Sequence, residues 1–590
     1  MADGSPIASE SLCTRLNRRL SHLQRDRTAW EPHWRELADN FKPRSGNWNN
    51  QAIETRGGKQ PASARMINNT PLRAARTLAA GMMAGLTSPA RPWFRLGTHD
   101  TELDEYQPVK EWLWTVERRM RAVLSKSNVY RVLPTMYGEL GVFGITAAIG
   151  LEDDQDTIRL QPWEIGSYWC AQDARLSVDT GYRLIKMTVR QLVTEFGLTN
   201  CSTRVQSMWA SGNWEQWIDV YQAVEPNDER EAGKRGPRGM SVRSVYWEKG
   251  GDKDRLLSRR GFEDSPLLVP RWIAEGNNTY GDSPAMDALG DAKGLQFEER
   301  RKAQSLDKLV DPPMTAPTSL RNSRVSLLPG DVTYVDVNQG QQGYRPVYEI
   351  KPDIQWQNAS ISQIEDRINS AMYADLFLML ANDTRSNVTA REIQERHEEK
   401  LLQLGPVLER LNDELLDPLI DRVFAIMVRK SIPFWENRID GIPPIPPPPE
   451  ELSGLDLGIE YISILAQAQK MVGLQAQDSM LLFASNLAAI KQDPSVLDKL
   501  DTDQMIDERA DMLGVSPLSV LSDDKVAEIR AGRQQQMRAQ QMAAMAPALN
   551  QAAGAVEKLG NTPAGEGQSV LQAASQAGAG GGLAAMMGAG

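Results

Sequence analysis

The sequence predicts an α+β fold, predominantly helical. Two helical runs of equal length, 283–309 and 354–380, flank a short segment with strand-like patterning. The stretch 151–275 alternates as strands do, and amphipathic or small-residue helices precede it. At 590 residues the chain is long enough for several domains and a large buried core. Its 41% hydrophobic and 24% charged content places it with globular proteins. Cys13, Cys170 and Cys201 form no CxxC pair, which disfavours a disulfide framework or a zinc ribbon and suits free thiols in a reducing cytosol. The longest apolar run, 141–150, is too short to cross a bilayer, and the first residues lack the pattern of a signal peptide. The expectation is a soluble protein, made and used without secretion and without a membrane partner.

From the N-terminus, Leu16, Leu20, Leu23, Arg27, Trp30, Trp34, Leu37 and Phe41 alternate by four and three, predicting one helix over 11–41. Arg15, Arg18, Arg19 and Arg25 decorate its other face. A second helix over 71–86 is rich in Ala and Gly, which suits close packing, and Trp93 and Phe94 should anchor the proline-stiffened segment after it. Strands are expected at 157–160, 182–189, 214–224, 242–248 and 267–273, with 229–239 as an exposed loop. Ser283-Pro284 supplies an N-cap and a first-turn proline for the first long arm, which stops before Asp311-Pro312-Pro313. The second arm carries Ile361, Ile364, Ile368, Met372, Leu376 and Met379. Each arm spans about 27 residues, or about 40 Å. Between them, 324–328, the turn Pro329-Gly330-Asp331, 332–337 and 345–350 read as a small β module. A polar break at 381–387 precedes Thr389-Ala390-Arg391-Glu392, whose capping-box spacing opens a helix toward Lys430. Gly405-Pro406 and Pro418 should kink it. Residues 442–449 predict an extended polyproline strut, helices resume at 458–473, 479–492 and 496–513, and the Gln/Ala/Gly-rich end, 531–590, starts helical and finishes as a flexible tail.

Enzymatic and metal chemistry finds little support. No GxxxxGK[ST] motif occurs. Gly281-Asp282-Ser283-Pro284-Ala285 lacks the closing glycine of a nucleophile elbow, and Ser283 is better explained as a helix cap. Ser305 and Lys308 have SxxK spacing but sit on a long helix. His22, His33, His99 and His397 have no ligand-spaced partner, and no two acids are singled out as a catalytic pair. No catalytic, cofactor-binding or metal residue is assigned. The net charge of −11 has the wrong sign for a protein that wraps nucleic acid, though it does not exclude a channel whose wall repels DNA except at a few rings of residues.

The segment Gly81-Met-Met-Ala-Gly-Leu-Thr-Ser-Pro-Ala-Arg-Pro-Trp-Phe94 resembles the signature of the bacteriophage head-to-tail connecting proteins, the portal family of short-tailed phages. Residues 140–150, Tyr280-Gly-Asp-Ser-Pro-Ala-Met-Asp-Ala-Leu289 and Glu395-Arg-His-Glu-Glu-Lys-Leu401 with Gly405-Pro406 match in the same order, and the resemblance covers roughly residues 10–530. It implies a wing over 1–282, stem helices at 283–309 and 354–380, a clip at 310–353 and a channel loop at 381–388. A kinked wing helix and strut at 389–450, a crown at 451–530 and a barrel helix or tail at 531–590 complete the picture. Such subunits form a ring, usually twelvefold, at one capsid vertex of the virion and are assembled in the host cytoplasm. The implied partners are other copies, double-stranded DNA bound without sequence preference, the terminase motor, capsid and scaffolding proteins, and tail adaptor or tubular proteins. Asn382, Thr384, Arg385 and Asn387 would then face DNA in the channel loop, and Arg321, Arg324 and Arg345 would give the clip a basic edge toward motor or tail. A different virion structural protein, or a cell-wall-cleaving virion enzyme, is the alternative.

Overall fold

The computed structural model describes residues 11–43, 45, 66–98, 100, 103, 106–231, 233–234, 236–252, 254–310, 314–315, 345–346, 353–381, 404–437, 443–452, 457–462, 480–487, 490, 504–506, 509 and 525–540. Residues 1–104 and 108–514 form one compact unit, and 105–107 with 515–590 form a second.

Helix α1 (Leu12–Thr28) is capped by Ser11, whose hydroxyl accepts the Thr14 N–H at 3.3 Å. Helix α2 (Trp30–Phe41) follows after one residue, so the helix expected over 11–41 is two. Pro32 is the cause: it has no N–H to donate to Thr28, four residues back, and the ladder stops there. The division lets one amphipathic run serve two cores. Leu16, Leu20 and Leu23 pack with Trp169, Tyr182 and Trp247, whereas Trp34, Leu37 and Phe41 join the main core.

Helix α3 (Thr70–Leu86) has Pro71 in its first turn and lies close to its neighbours. A Cβ on Gly81 would sit 2.1 Å from Phe377 Cγ, so glycine is what admits that ring. Trp93 and Phe94 are buried as the sequence predicts, with ring centroids 4.7 Å apart and Trp93 Nε1 donating to Tyr130 Oη at 3.0 Å. Strand β1 (Phe94–Thr98) precedes α4 (Gln107–Lys126), whose buried Val109, Leu113, Val116, Met120 and Leu124 keep helical spacing. Helix α5 (Val129–Phe143) ends at Gly144, left-handed at φ 76°, where a Cβ would meet the Gly281 carbonyl oxygen at 2.0 Å.

Next come β2 (Ala147–Asp153), β3 (Thr157–Trp163), β4 (Tyr168–Gln172) and β5 (Val178–Thr188). Two short helices, α6 (Val189–Phe196) and α7 (Thr203–Ala210), interrupt the stretch read as β. Thr188 and Gln191 form a reciprocal capping box that starts α6. Strands β6 (Trp217–Pro226), β7 (Val242–Glu248), β8 (Ser258–Phe262) and β9 (Leu267–Leu268) follow. Two antiparallel sheets result, ordered β3-β2-β9 and β4-β5-β6-β7-β8. The strand expected over 267–273 shrinks to β9 plus isolated bridges at Arg271 and Ile273, because Pro270 has no N–H for a ladder.

The first long arm is a single turn, α8 (Pro284–Asp287), then α9 (Leu289–Val310). Strands β10 (Met314–Thr315) and β11 (Arg345–Pro346) pair antiparallel. The other strands expected between the arms lie outside the described residues. The second arm is not continuous over 354–380. Helix α10 (Ile354–Ala371) stops at Met372, Tyr373 takes a left-handed φ of 53° against Trp272, and α11 (Ala374–Ala381) restarts. No proline or glycine announces that break.

The helix expected to open at Thr389 is described from 404. Helix α12 (404–411) passes into a π turn, Asn412–Leu416, and then α13 (Asp417–Asn437). Pro418 explains the turn: it has no N–H for Glu414, and the widened turn instead closes from the Asp417 N–H to the Asn412 carbonyl. The proline-rich segment is no free strut. Arg119 Nη1 donates to the Pro443 carbonyl (2.6 Å), Trp112 Nε1 to Pro446 (3.0 Å) and Trp435 Nε1 to Ile445 (3.0 Å), which straps 443–446 onto α4 and α13. Finally, 457–461 is strand rather than helix. Strand β12 (Leu457–Tyr461) pairs antiparallel with β1, Phe94 opposite Tyr461. Residues 480–487 are helical, and in the second unit 525–540 form one helix.

Candidate functional site: the helix pair and its buried anchor

Of the residues singled out from the sequence, Asn382, Thr384, Arg385, Asn387, Arg321 and Arg324 lie outside the described residues, and Arg345 stands opposite Thr315 in β11. The structure does describe the frame on either side of them. Helices α9 and α10 run antiparallel: Asp291 meets Arg367, Glu299 and Glu365 share one partner, and Met314 stands opposite Pro346, so one index falls as the other rises. Leu289, Ala292 and Leu295 of α9 and Ile361, Ile364 and Ile368 of α10 supply the buried stripes. Ser283 is the cap that the sequence implies. Its Oγ accepts the Met286 N–H at 3.3 Å and donates to the Val142 carbonyl at 2.8 Å, so the hydroxyl is fully engaged.

Asn68, just before α3, clamps the pair. Its amide nitrogen donates to Glu365 (2.7 Å) and Glu299 (3.1 Å), one carboxylate from each helix, and its carbonyl side accepts the Thr70 N–H at 2.9 Å. Gln296 reaches the same loop, accepting the Asn68 N–H at 3.1 Å and donating to the Asn68 carbonyl at 2.7 Å. An uncharged amide between two carboxylates relieves their repulsion while spending no cation.

The anchor of the frame is Arg271, 2% exposed. Its backbone N–H and Nη2 donate to Glu414 at 2.8 and 2.5 Å, and Nε lies 3.1 Å from the same carboxylate. Its remaining donors go to the Leu176 carbonyl (2.7 Å), Gln172 Oε1 (3.2 Å) and the Asn278 carbonyl (3.4 Å). One guanidinium thus ties the β4–β5 turn, the loop leading into the helix pair and the π turn of the kinked helix. The π turn contributes directly, because Glu414 sits inside it. Charge-assisted, multidentate bonds of this kind are the strong ones, and low local dielectric makes them stronger. Sequence reasoning misses the anchor: an arginine between Pro270 and Trp272 carries no local signal.

Other buried charges brace the same region. Glu139 is held by Lys42 (3.7 Å) and Thr146 Oγ1 (3.2 Å), and burial pushes its carboxyl above the ordinary range. Tyr461 donates to Asp417 at the start of α13, and burial raises that carboxyl too. Arg422 is buried over the Phe262 ring, and burial lowers its pKa. Among the described residues, no group of three or more His, Cys, Asp or Glu is placed to hold a metal ion, and no helix is long and apolar enough to cross a membrane.

These features describe a mixed α+β body carrying a long antiparallel helix pair, with buried charges that join its elements. The sequence then gives the family. Residues 13–521 match the profile described as "Bacteriophage head to tail connecting protein", and the chain belongs to that family. It is 47% identical over 540 residues to the portal protein of Salmonella phage epsilon15, covering 91% of this chain and 94% of that protein. It is 44% identical over 543 residues to a probable portal protein of Bordetella phage BPP-1, covering 92% and 94%. Among solved structures, two gene transfer agent chains, one from the neck of an empty particle and one from a native virion, match at TM-scores of 0.29 and 0.30 with 11% identity. They cover 67% and 72% of this chain and 80% and 90% of theirs, too remote a likeness to argue from.

Proposed function

We propose that copies of this chain close into a ring, usually twelvefold in such proteins, at one capsid vertex, where double-stranded DNA enters during packaging and leaves at ejection. The observation that carries this reading is the anchored helix pair in a chain of the connector family. In it, 283–309 and 354–380 are the stem, 310–353 the clip that meets the terminase motor and later the tail proteins, and 381–388 the loop facing the bore. Residues 1–282 are the wing, 389–450 the kinked wing helix with its proline strap, 451–530 the crown, and 531–590 the barrel helix or tail. A ring repeats each side chain once per subunit, so Arg385 becomes a belt of positive charge, with Asn382, Thr384 and Asn387 adding neutral contacts to phosphate. Arg321, Arg324 and Arg345 form the basic edge of the clip. Assembly takes place in the host cytoplasm with capsid and scaffolding proteins.

The test is the mass of the purified protein with electron-microscope images of the same peak. The ring reading expects a species of about 790 kDa, twelve times 65.6 kDa, with a central hole. A monomer that still makes no rings when scaffolding and capsid proteins are supplied overturns it. Arg385→Ala should leave the rings intact and reduce retention of packaged DNA; wild-type retention in that variant removes Arg385 from the bore.

A further inference from the structure

Helix 525–540 has no buried face. Every residue except Val526 is exposed, although helices of this length are marginal in water without a packed stripe. It carries Lys525, Arg530, Arg533 and Arg538 against one acid, Glu528. At 100° per residue, Arg533, Arg530 and Arg538 fall within an arc of about 140°, which also holds Gln534, while Lys525 and Glu528 lie on the far side. The positive charge is confined to the helix. Residues 525–540 contain four Lys/Arg and one Glu, a net +3, whereas 541–590 contain one Lys and two Glu, a net −1, so the chain outside the helix carries −14 to give the total of −11. A basic segment on an acidic chain is the charge pattern of a polyanion contact.

We propose that this helix is a second DNA-binding element, separate from the loop at 381–388, and that its basic face binds backbone phosphates of double-stranded DNA without reading sequence. Arginines supply the charge, and the Gln534 amide adds a neutral donor to phosphate oxygen. The inference rests on the reading that DNA passes through this protein, and it adds the residues that hold DNA from outside the stem.

The test is anisotropy titration of a random-sequence duplex with the full chain across a salt series, comparing Arg533→Gln/Arg538→Gln with wild type. Each lost phosphate contact lowers the slope of log K against log salt by about 0.9, so the double variant should lose about 1.8 per bound helix and bind about tenfold more weakly at about 50 mM salt. Arg533→Lys/Arg538→Lys should keep affinity and slope. A glutamine variant within twofold of wild type overturns the proposal, and so does an equal loss in the charge-preserving variant. A changed assembly mass with unchanged DNA binding also overturns it, by marking the helix as a contact between copies. Electron microscopy of the same samples reports the rings separately. If rings are absent even with scaffolding and capsid proteins supplied, but the glutamine variant alone loses DNA, the ring reading fails and the helix assignment stands.

Discussion

Replacing Glu414 with glutamine keeps the shape of the anchor and removes its charge. Arg271 would then be a guanidinium at 2% exposure with only neutral acceptors: Gln172 Oε1, the Leu176 and Asn278 carbonyls, and the new amide oxygen. Removing one partner of a buried ion pair costs about 3–5 kcal/mol. The Glu414 side chain is 16% exposed, and Arg410 reaches it from one turn away at 3.5 Å. Some water already serves the carboxylate, which places the cost near the lower end, about 3 kcal/mol. A chain of two compact units will not unfold in one step, so the assay is hydrogen exchange followed peptide by peptide. A local loss of about 3 kcal/mol is roughly a hundredfold faster exchange when reclosing is fast. It should appear in 404–437 and in 267–282, and be absent from α4. Acceleration below about threefold in both segments refutes the reasoning, because an opening that small leaves under 1 kcal/mol for the charge. Adding Arg271→Met to Glu414→Gln should cost less than the two changes summed, by about 1–3 kcal/mol of coupling.

Asn68→Asp should loosen the helix pair, since it replaces a shared donor with a third carboxylate beside Glu299 and Glu365. The loss should be about 1–3 kcal/mol, read as faster exchange in α9 and α10 and eased by salt; a salt-independent effect defeats the charge argument. Gly81→Ala drives a Cβ to 2.1 Å from Phe377 Cγ, an atom too near its own backbone to swing away. The expected cost is about 1–3 kcal/mol, and adding Phe377→Ala should recover part of it; proteolysis rates of the single and double variants decide. For Glu139, burial raises the folded pKa above the ordinary 4.5, so the folded protein keeps a proton that the unfolded chain has already released. Stability therefore falls as pH climbs from about 4.5 to the raised value, and Glu139→Gln should flatten that slope and be no less stable at pH 7. Identical pH slopes in thermal unfolding of the two proteins count against it.

Where local chemistry decides an element, the sequence announces it. Ser283-Pro284 starts a helix because one side chain can cap and the next residue needs no donor, and both facts concern neighbours. Pro418 signals an irregular helix for the same reason, and the π turn lies immediately before it. Pro32 is the same signal inside a strong amphipathic pattern, and there the periodicity outweighs it although the hydrogen-bond ladder does break. Leu457–Tyr461 is different in kind. Five residues containing Leu, Ile and Tyr fit a helix as well as a strand, and the deciding partner, Phe94–Thr98, lies hundreds of residues away. Tyr373 belongs with it, since an aromatic residue at positive φ is held there by its surroundings, Trp272 among them.

The proline strap shows where legibility ends. Prolines at 443, 444 and 446–449 cannot donate, so the sequence alone says that this segment is extended and that its carbonyls need donors from elsewhere. It does not say which donors. Trp112 and Arg119 answer from one face of α4, and at two turns apart they read equally well as part of a solvent-facing stripe. Arg271 poses the same problem more sharply, because all its partners but Asn278 are about a hundred residues away or more. The contacts hardest to read are therefore those that tie the helix pair and the kinked helix to the body. The apolar stripes of the helix pair also join it to the main core, but Glu414 and Asn68 are the sharper places to perturb this protein, because each change there removes one defined set of polar contacts.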